Sequence, residues 1–457
     1  MANTNLYNAK SAKNDEFYTQ YPDIQKEINA YLDYNIDVFR DKTVLLPCDD
    51  PEWSNFTKFF AQNFELLGLK KLISTSYAYD SKKVKGPFQL TLFESEAPQF
   101  DVAKTQTHGK IFILSKDNNG DGYININDLQ WNYLEGDGDF RSREIRKLRD
   151  EADIIVTNPP FSLFREFVSW IMEANKKCLI IGNMNAITYK EIFPLLKNNK
   201  IWLGATGFVS DMVFGVPEGT IIKESDKAKA ERLGYRGNFT RLGNSCWFTN
   251  LDHGRRHQPI QLMTMNENIK HSKHKEIRGV GYRHYDNYDA IEVPFTDAIP
   301  SDYVECIGVP ISFIDKYNPE QFEIIGATES EGKGFSNGLW NPQSGITQAT
   351  IDGIKVYKRL FIRSTPPHCK TLNINELKDM IVMTYGYKQD EVQIIRGVMG
   401  VPISYLDKYC PEQFEIVGYM ASHGKVPKGI PNEAPYLDGK WLYNRILIRQ
   451  KHTFRIH

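Results

Sequence analysis

The sequence predicts an α/β protein in which an open sheet precedes two related α+β modules. Three observations carry that expectation: short apolar runs that stop at polar turns, helical patterns between them, and an internal repeat in the last third of the chain. At 457 residues the chain is long enough for two or three cores, so burial does not limit the fold.

The first run, TVLLP at residues 43–47, is closed by a polar turn, as a strand buried on both faces is. A helix over Phe56 to Leu67 leads to a second strand in KKLISTSY, from Lys70 to Tyr77. ADIIVTNPPF, from Ala152 to Phe161, is an apolar strand running into a Pro-Pro turn. The following stretch places Leu163, Phe164, Phe167, Val168 and Ile171 at helical spacing, and CLIIGN from Cys178 to Asn183 is another buried strand. IWLGATGF and SCWFTNL supply further strands.

In the C-terminal third, GVPISFIDKYNPEQFEIIG (Gly308 to Gly326) recurs as GVPISYLDKYCPEQFEIVG (Gly400 to Gly418). IDGIKVYKRLFIR (Ile351 to Arg363) recurs as LDGKWLYNRILIR (Leu437 to Arg449). Two copies are too few for a solenoid, so they read as two small modules, more simply a binding surface than a second active site. Asp315, Lys316, Tyr317 and Arg363 are matched by Asp407, Lys408, Tyr409 and Arg449, a likeness that charge pairs within each module would explain.

Composition excludes several classes. No apolar run is long enough to cross a bilayer and no signal peptide opens the chain, so a cytoplasmic protein without membrane contact is expected. The six cysteines are scattered without zinc-site spacing and read as reduced thiols. A net charge of −1 would not draw the whole chain onto a polyanion, so any nucleic-acid surface must be local. The cation-rich stretch from Arg255 to Arg278 is one such surface or else a solvated linker. DNNGDGYININD, Asp117 to Asp128, has calcium-loop spacing, but the preceding GKIFIL reads as a strand, so a hairpin turn is the simpler account and no metal is expected.

The strongest chemical signal is Asn158-Pro159-Pro160-Phe161, since open α/β sheets place ligands at the carboxyl ends of their strands. An exocyclic amine is a poor nucleophile because its lone pair is delocalised into the ring. The Asn158 carboxamide oxygen and the Pro159 carbonyl can accept both of its hydrogens and favour a pyramidal nitrogen. Proline holds the carbonyl rigidly and adds no competing N–H, and Phe161 offers a stacking face worth roughly 1–3 kcal/mol per base. That would offset part of the cost of unstacking a flipped base. The plain alternative is a Pro-Pro turn that merely ends a strand.

Several blocks, in this order, resemble the EcoRI-type adenine-specific DNA methyltransferase family: KNDEFYTQ, LPCDDPEWSNF, GDGDFRSREI, ADIIVTNPPFSLFREFV, IIGNMNAITYKEIFP, RLGNSCWFTNL and YDNYDAIEV. With GVPISFIDKYNPEQFEIIG, the likeness runs from about Lys13 to Gly326. It implies an S-adenosylmethionine-dependent methyltransferase; together with the strand pattern, the charge run and the repeat, the expected layout is a Rossmann-like catalytic domain in residues 1–265, a basic connector in 266–307, and duplicated modules for DNA recognition in 308–457. The implied reaction is direct N6-methylation of a flipped adenine in double-stranded DNA, with a cognate restriction endonuclease as functional partner.

Carried over by the resemblance, Phe17, Tyr18 and Thr19 line the methionine end of S-adenosyl-L-methionine, and the loop of Cys48, Asp49 and Asp50 grips it. That loop lacks the glycine such turns normally use, and its aspartates could instead form an Asx turn or a helix cap. Asp139-Phe140 resembles the element that holds the cofactor adenine, although Asp139 or Ser142 could cap the next helix. Asp80 is the nearest acidic ribose contact after the second strand. Methylation of cytosine N4, RNA adenine or protein glutamine, and non-catalytic DNA binding, are the rival readings.

Overall fold

The computed structural model describes residues 18–49, 54–78, 98–124, 128–207, 212–216, 220–242, 244–329 and 334–365, with parts of 375–450. Phe17, Asp50, Asp80, Asn125, Asp407, Lys408 and Tyr409 lie outside the described residues.

The elements from the start of the described chain are strand β1 (Tyr18–Thr19), helix α1 (Tyr21–Tyr34), β2 (Thr43–Pro47), α2 (Asn55–Gln62) and β3 (Lys71–Ser76). They continue with β4 (Lys110–Leu114), β5 (Gln130–Tyr133), α3 (Arg143–Glu151), β6 (Ile154–Thr157), α4 (Phe164–Glu173) and β7 (Lys177–Asn183). Next come β8 (Trp202–Leu203), β9 (Val213–Gly215), β10 (Phe239–Arg241) and β11 (Ser245–Thr249). The helix expected over Phe56 to Leu67 is split at Asn63, beyond which Phe64–Leu67 forms a separate turn ending at left-handed Gly68.

Eight strands form one mixed sheet in the order β5-β4-β3-β2-β6-β7-β11-β8. β3, β2, β6 and β7 run parallel, whereas β4 and β11 pair antiparallel to their inner neighbours. The chain moves outward from β2 to β3 and returns to place β6 on the other side of β2. The strand order therefore reverses between β2 and β6, where crevices open at the carboxyl edge of such sheets.

Both faces are covered, which explains why the strands read as continuous apolar runs rather than alternating ones. Val44, Leu46, Leu72, Ile154 and Val156 pack with Ile24 and Ile28 of α1 and Phe56 and Phe60 of α2. Leu45, Ile73, Ile155 and Ile180 face the other way, toward Ile145 of α3 and Phe167, Val168 and Ile171 of α4. Gly182 of β7 admits the Phe164 ring there, because a Cβ would lie 2.4 Å from Phe164 Cε2.

The Asp117 stretch follows strand β4 and connects it to antiparallel β5. Its carboxylates are used by the turn itself: Asp117 accepts from the N–H groups of Gly120 and Gly122, and Asp128 from those of Asn118 and Asn119. These bonds fit the hairpin account of this segment.

Residues 1–365 form one compact unit and 366–457 a second. Ile307, Val309, Phe313 and Ile362 join the same apolar cluster as Leu45 and Ile155. The first copy of the repeat thus shares a core with the large sheet instead of standing apart after a connector. Its five-stranded sheet pairs Val309 with Leu360 and Pro310 with Arg359, and its register shifts between Ile324 and Gly326. The second unit has its own five-stranded sheet, pairing Val401 with Ile446 and Pro402 with Arg445, with the shift between Ile416 and Gly418. Three strands of each sheet pair in corresponding register, whereas the flanking strands differ: Ile291–Glu292 runs parallel beside Ile307–Pro310, but Gln393–Ile395 runs antiparallel beside Val398–Pro402. Among the described residues no helix is long and apolar enough to cross a membrane.

Candidate active site

Three loops meet at the carboxyl edge where the strand order reverses. The first leaves β2. Cys48 adopts a left-handed φ of 77°, the conformation glycine usually supplies, so the turn exists without the expected glycine, at some cost in strain. Asp49 is buried, and both its carboxylate oxygens are engaged: Oδ1 accepts from Ser54 Oγ at 2.7 Å and Oδ2 lies 2.6 Å from Thr157 Oγ1. Ser54 is also the N-cap of α2, accepting from the Phe56 N–H at 3.1 Å. The N-cap of α2 is thus Ser54, and the Asp49 carboxylate bonds the hydroxyl of that cap.

The second loop leaves β6. Thr157, the last strand residue, is fully buried and lies 2.7 Å from the Pro47 carbonyl as well as against Asp49. Asn158 follows, half-buried, then buried Pro159 and half-buried Pro160. Pro160 begins a 3-10 turn over Phe161–Leu163, and its carbonyl accepts from the Leu163 N–H at 2.9 Å. Among the described residues no main-chain N–H donates to the Pro159 carbonyl. Phe161 is half-buried and packs against the cluster on the α1 and α2 face.

The third loop joins β5 to α3. Gly138, at φ 86°, crosses the end of β3 so closely that a Cβ would fall 2.4 Å from the Ser76 carbonyl. The neighbouring Ala78 N–H donates to the Asp137 carbonyl at 2.8 Å. This crossing brings together Cys48, Tyr77 and Asp139. Burial pushes the Cys48 thiol and the Tyr77 hydroxyl well up, and Asp139 adds to both rises. Arg141 donates to Asp139 at 2.6 Å and holds its carboxyl below the usual range. Ser142, not Asp139, caps α3. The Phe140 ring is 1% exposed and packs edge-on against Phe167 and Trp170, while Asp139 keeps part of its surface open.

Tyr18 and Thr19 lie in a separate three-stranded sheet. They pair with Gly215 and Phe214, and Asn55 of α2 donates its amide to the Thr19 carbonyl at 2.8 Å. Helix α1, just beyond, carries buried Glu27, whose carboxylate accepts from the Ala205 and Thr206 N–H groups at 2.7 and 2.9 Å. Burial raises the Glu27 carboxyl, and these bonds act against the rise.

Four residues here escaped the sequence reading. Tyr77 lies one place beyond β3 and Thr157 directly before Asn158, positions that could have been flagged. Ser54 and Glu27 gave no signal beyond a polar residue beside apolar ones. Asp49, Asp139 and Asn158 are placed on loops at one edge of the large sheet and Tyr18 and Thr19 in a separate three-stranded sheet, whereas the Phe140 ring is placed in the core.

The family model described as adenine-specific methyltransferase EcoRI matches residues 5–365 and 387–451. The type II methyltransferase M.EcoRI of Escherichia coli is 41% identical over 321 residues, covering 70% of this chain and 88% of that protein. M.MpnI of Mycoplasma pneumoniae is 33% identical over 318 residues, covering 69% of this chain and 83% of its own. M.MgeORF184P of Mycoplasma genitalium is 32% identical over 317 residues, with coverages of 69% and 84%. No solved structure gives a significant match.

Proposed function

The chain belongs to the EcoRI family of adenine-specific methyltransferases, and on that premise we propose that Asn158 and Pro159 present the adenine N6 amine for direct methylation. The protein is a DNA adenine methyltransferase of the type II class. The finer reading is a Rossmann-like domain that uses S-adenosylmethionine and acts on a base flipped from double-stranded DNA. Its work would lie in the cytoplasm, as a prokaryotic or phage-encoded protein, with a cognate endonuclease as functional partner.

One observation carries this reading. The Asn-Pro-Pro-Phe turn sits at the point of strand reversal, and Thr157 ties it directly to the loop after β2. The residues present suit the cofactor. Asp139, kept ionised by Arg141, can accept from the adenosine amine, and the left-handed turn at Cys48 supplies the close backbone bend that a glycine usually gives. Phe17, Tyr18 and Thr19 would face its methionine end, with Asp50 on the same loop as Cys48 and Asp49.

S-adenosylmethionine supplies, when bound, an electrophilic methyl group on a sulfonium. The chain's own residues do the rest. The Asn158 carboxamide oxygen and the Pro159 carbonyl accept the two amine hydrogens, which localises the lone pair on nitrogen. The Pro160 carbonyl is drawn into the 3-10 turn, where it accepts from Leu163. Phe161 stacks on the extruded base, and its fixed turn limits the motion of the base. Asp49 acts from behind, holding Ser54 and Thr157 rather than touching the substrate.

The test is transfer of a radiolabelled methyl group to plasmid DNA by wild type and Asn158→Ala, followed by mass spectrometry of the nucleosides. N6-methyladenine from wild type and at least a hundredfold loss in the variant are expected. Equal incorporation by both would end the mechanism, and methylcytosine as product would end the choice of base.

A further inference from the structure

The cation-rich stretch from Arg255 to Arg278 divides in the folded protein. Its first half is consumed internally. Arg255 is ion-paired with Asp315 and donates to the Ala205 carbonyl at 3.3 Å. Arg256 lies over the Trp202 ring at 3.7 Å and donates to Asn199 at 2.9 Å. His257 stacks on Tyr34 and bonds Asp252 and Glu320. These groups join the first module to the large sheet, and their charge is already answered.

The second half is different. A helix over Met265–His271 is closed by a tight turn in which the Gly279 N–H donates to the Ile269 carbonyl at 2.8 Å. That bond folds residue 278 back beside residue 270. Ile277 and Ser272 point inward, while Lys270, His271, Lys273, Lys275 and Arg278 are exposed. Lys273 is paired with Asp297 at 2.7 Å. Among the described residues no ion pair engages Lys270, Lys275 or Arg278, and Glu276 is the one carboxylate between residues 270 and 280. Gly279, at φ 75°, has open space where a side chain would stand, and Val280 beside it is 60% exposed.

We propose that the Lys270, Lys275 and Arg278 cluster is a phosphate-binding surface for duplex DNA. A chain of net charge −1 has no overall field to attract a polyanion, so attraction must come from a local excess of this kind. The substrate of the family supplies the occupant, and charge complementarity supplies the fit. The cluster sits where the main chain is accessible, and among the described residues none of its three cations has an ion-pair partner to give up. The proposal goes beyond the assignment of the catalytic turn and needs only that the substrate is DNA.

The experiment uses the full chain and the triple variant Lys270→Gln, Lys275→Gln, Arg278→Gln. Binding of a fluorescein-labelled mixed-sequence duplex is followed by anisotropy over a range of salt concentrations. Every cation that no longer neutralises a phosphate should lower the slope of log affinity against log salt by about 0.9, so a fall of roughly 2 to 3 is expected, with kcat at saturating DNA unchanged. An unchanged slope, or a fall seen with single-stranded RNA of equal length but not with the duplex, overturns the proposal. Asn158→Ala should keep the wild-type slope, so failure of the catalytic reading and failure of this one are told apart.

Discussion

Replacing Thr157 by valine is the sharpest perturbation of the site, because it keeps the shape and removes one hydroxyl. In the folded protein that hydroxyl lies 2.6 Å from Asp49 Oδ2 and 2.7 Å from the Pro47 carbonyl, with no solvent to replace it. Its single proton can serve one acceptor at a time, and the carboxylate is the stronger. Thr157→Val would leave a buried carboxylate with Ser54 as its main hydroxyl donor, a loss of about 1–3 kcal/mol. For a unit of this size that corresponds to a fall of a few degrees in Tm.

The effect on rate is separate. Thr157 is bonded directly to Asn158, so a shift of the strand end moves the acceptor pair, and misplacement by about 1 Å can cost about a hundredfold. A drop in kcat of roughly ten- to a hundredfold is expected, with Thr157→Ser restoring most of it. Methyl incorporation at saturating DNA measures the rate and denaturant unfolding the stability. If Thr157→Val retained wild-type kcat and stability, the link between the two loops would have no role in holding the acceptor turn.

The remaining expectations concern packing and pH. Gly182→Ala would drive a Cβ to 2.4 Å from Phe164 Cε2 and 3.0 Å from Phe248 Cε2, an overpacking cost of about 1–3 kcal/mol. Phe164 opens the helix after the catalytic turn, so reduced methyl transfer should accompany the lower denaturation midpoint. His253 is buried with Nε2 2.9 Å from the Leu203 carbonyl, and burial lowers its pKa to about 4 from 6.5. The unfolded chain then binds the extra proton first, so the His253 contribution is complete above about pH 6.5 and fades as pH falls toward 4, by up to about 3 kcal/mol. His253→Gln should flatten that part of a stability profile measured in denaturant. A wild-type profile unchanged by the substitution would show that the imidazole is not the group responsible.

The strands and the helix after the Pro-Pro turn were legible because local patterns report them. Alternation, apolar run length and turn residues act over a few positions, and TVLLP or ADIIVTNPPF carries its own boundaries. The Asn-Pro-Pro-Phe turn was legible for the same reason, since its acceptors are neighbours in the chain. The sequence repeat likewise marked the three strands that pair in corresponding register in the two sheets.

Only the tertiary structure decided which distant groups meet. Asp49 and Thr157 are brought together because β6 inserts beside β2 after the chain has travelled through β3, β4 and β5, and no local pattern encodes that return. The same holds for Tyr77, which reaches Cys48 and Asp139 across a glycine crossing, and for Phe140, drawn into the core by Phe167 and Trp170. It holds also for the basic stretch, where Asp315 and Glu320 from a distant segment, with Asp252 close by in the chain, neutralise the first half and leave the second exposed. Periodicity fixes how each segment folds, but pairing across the sheet depends on topology, and topology is settled by the sum of burial over the whole core.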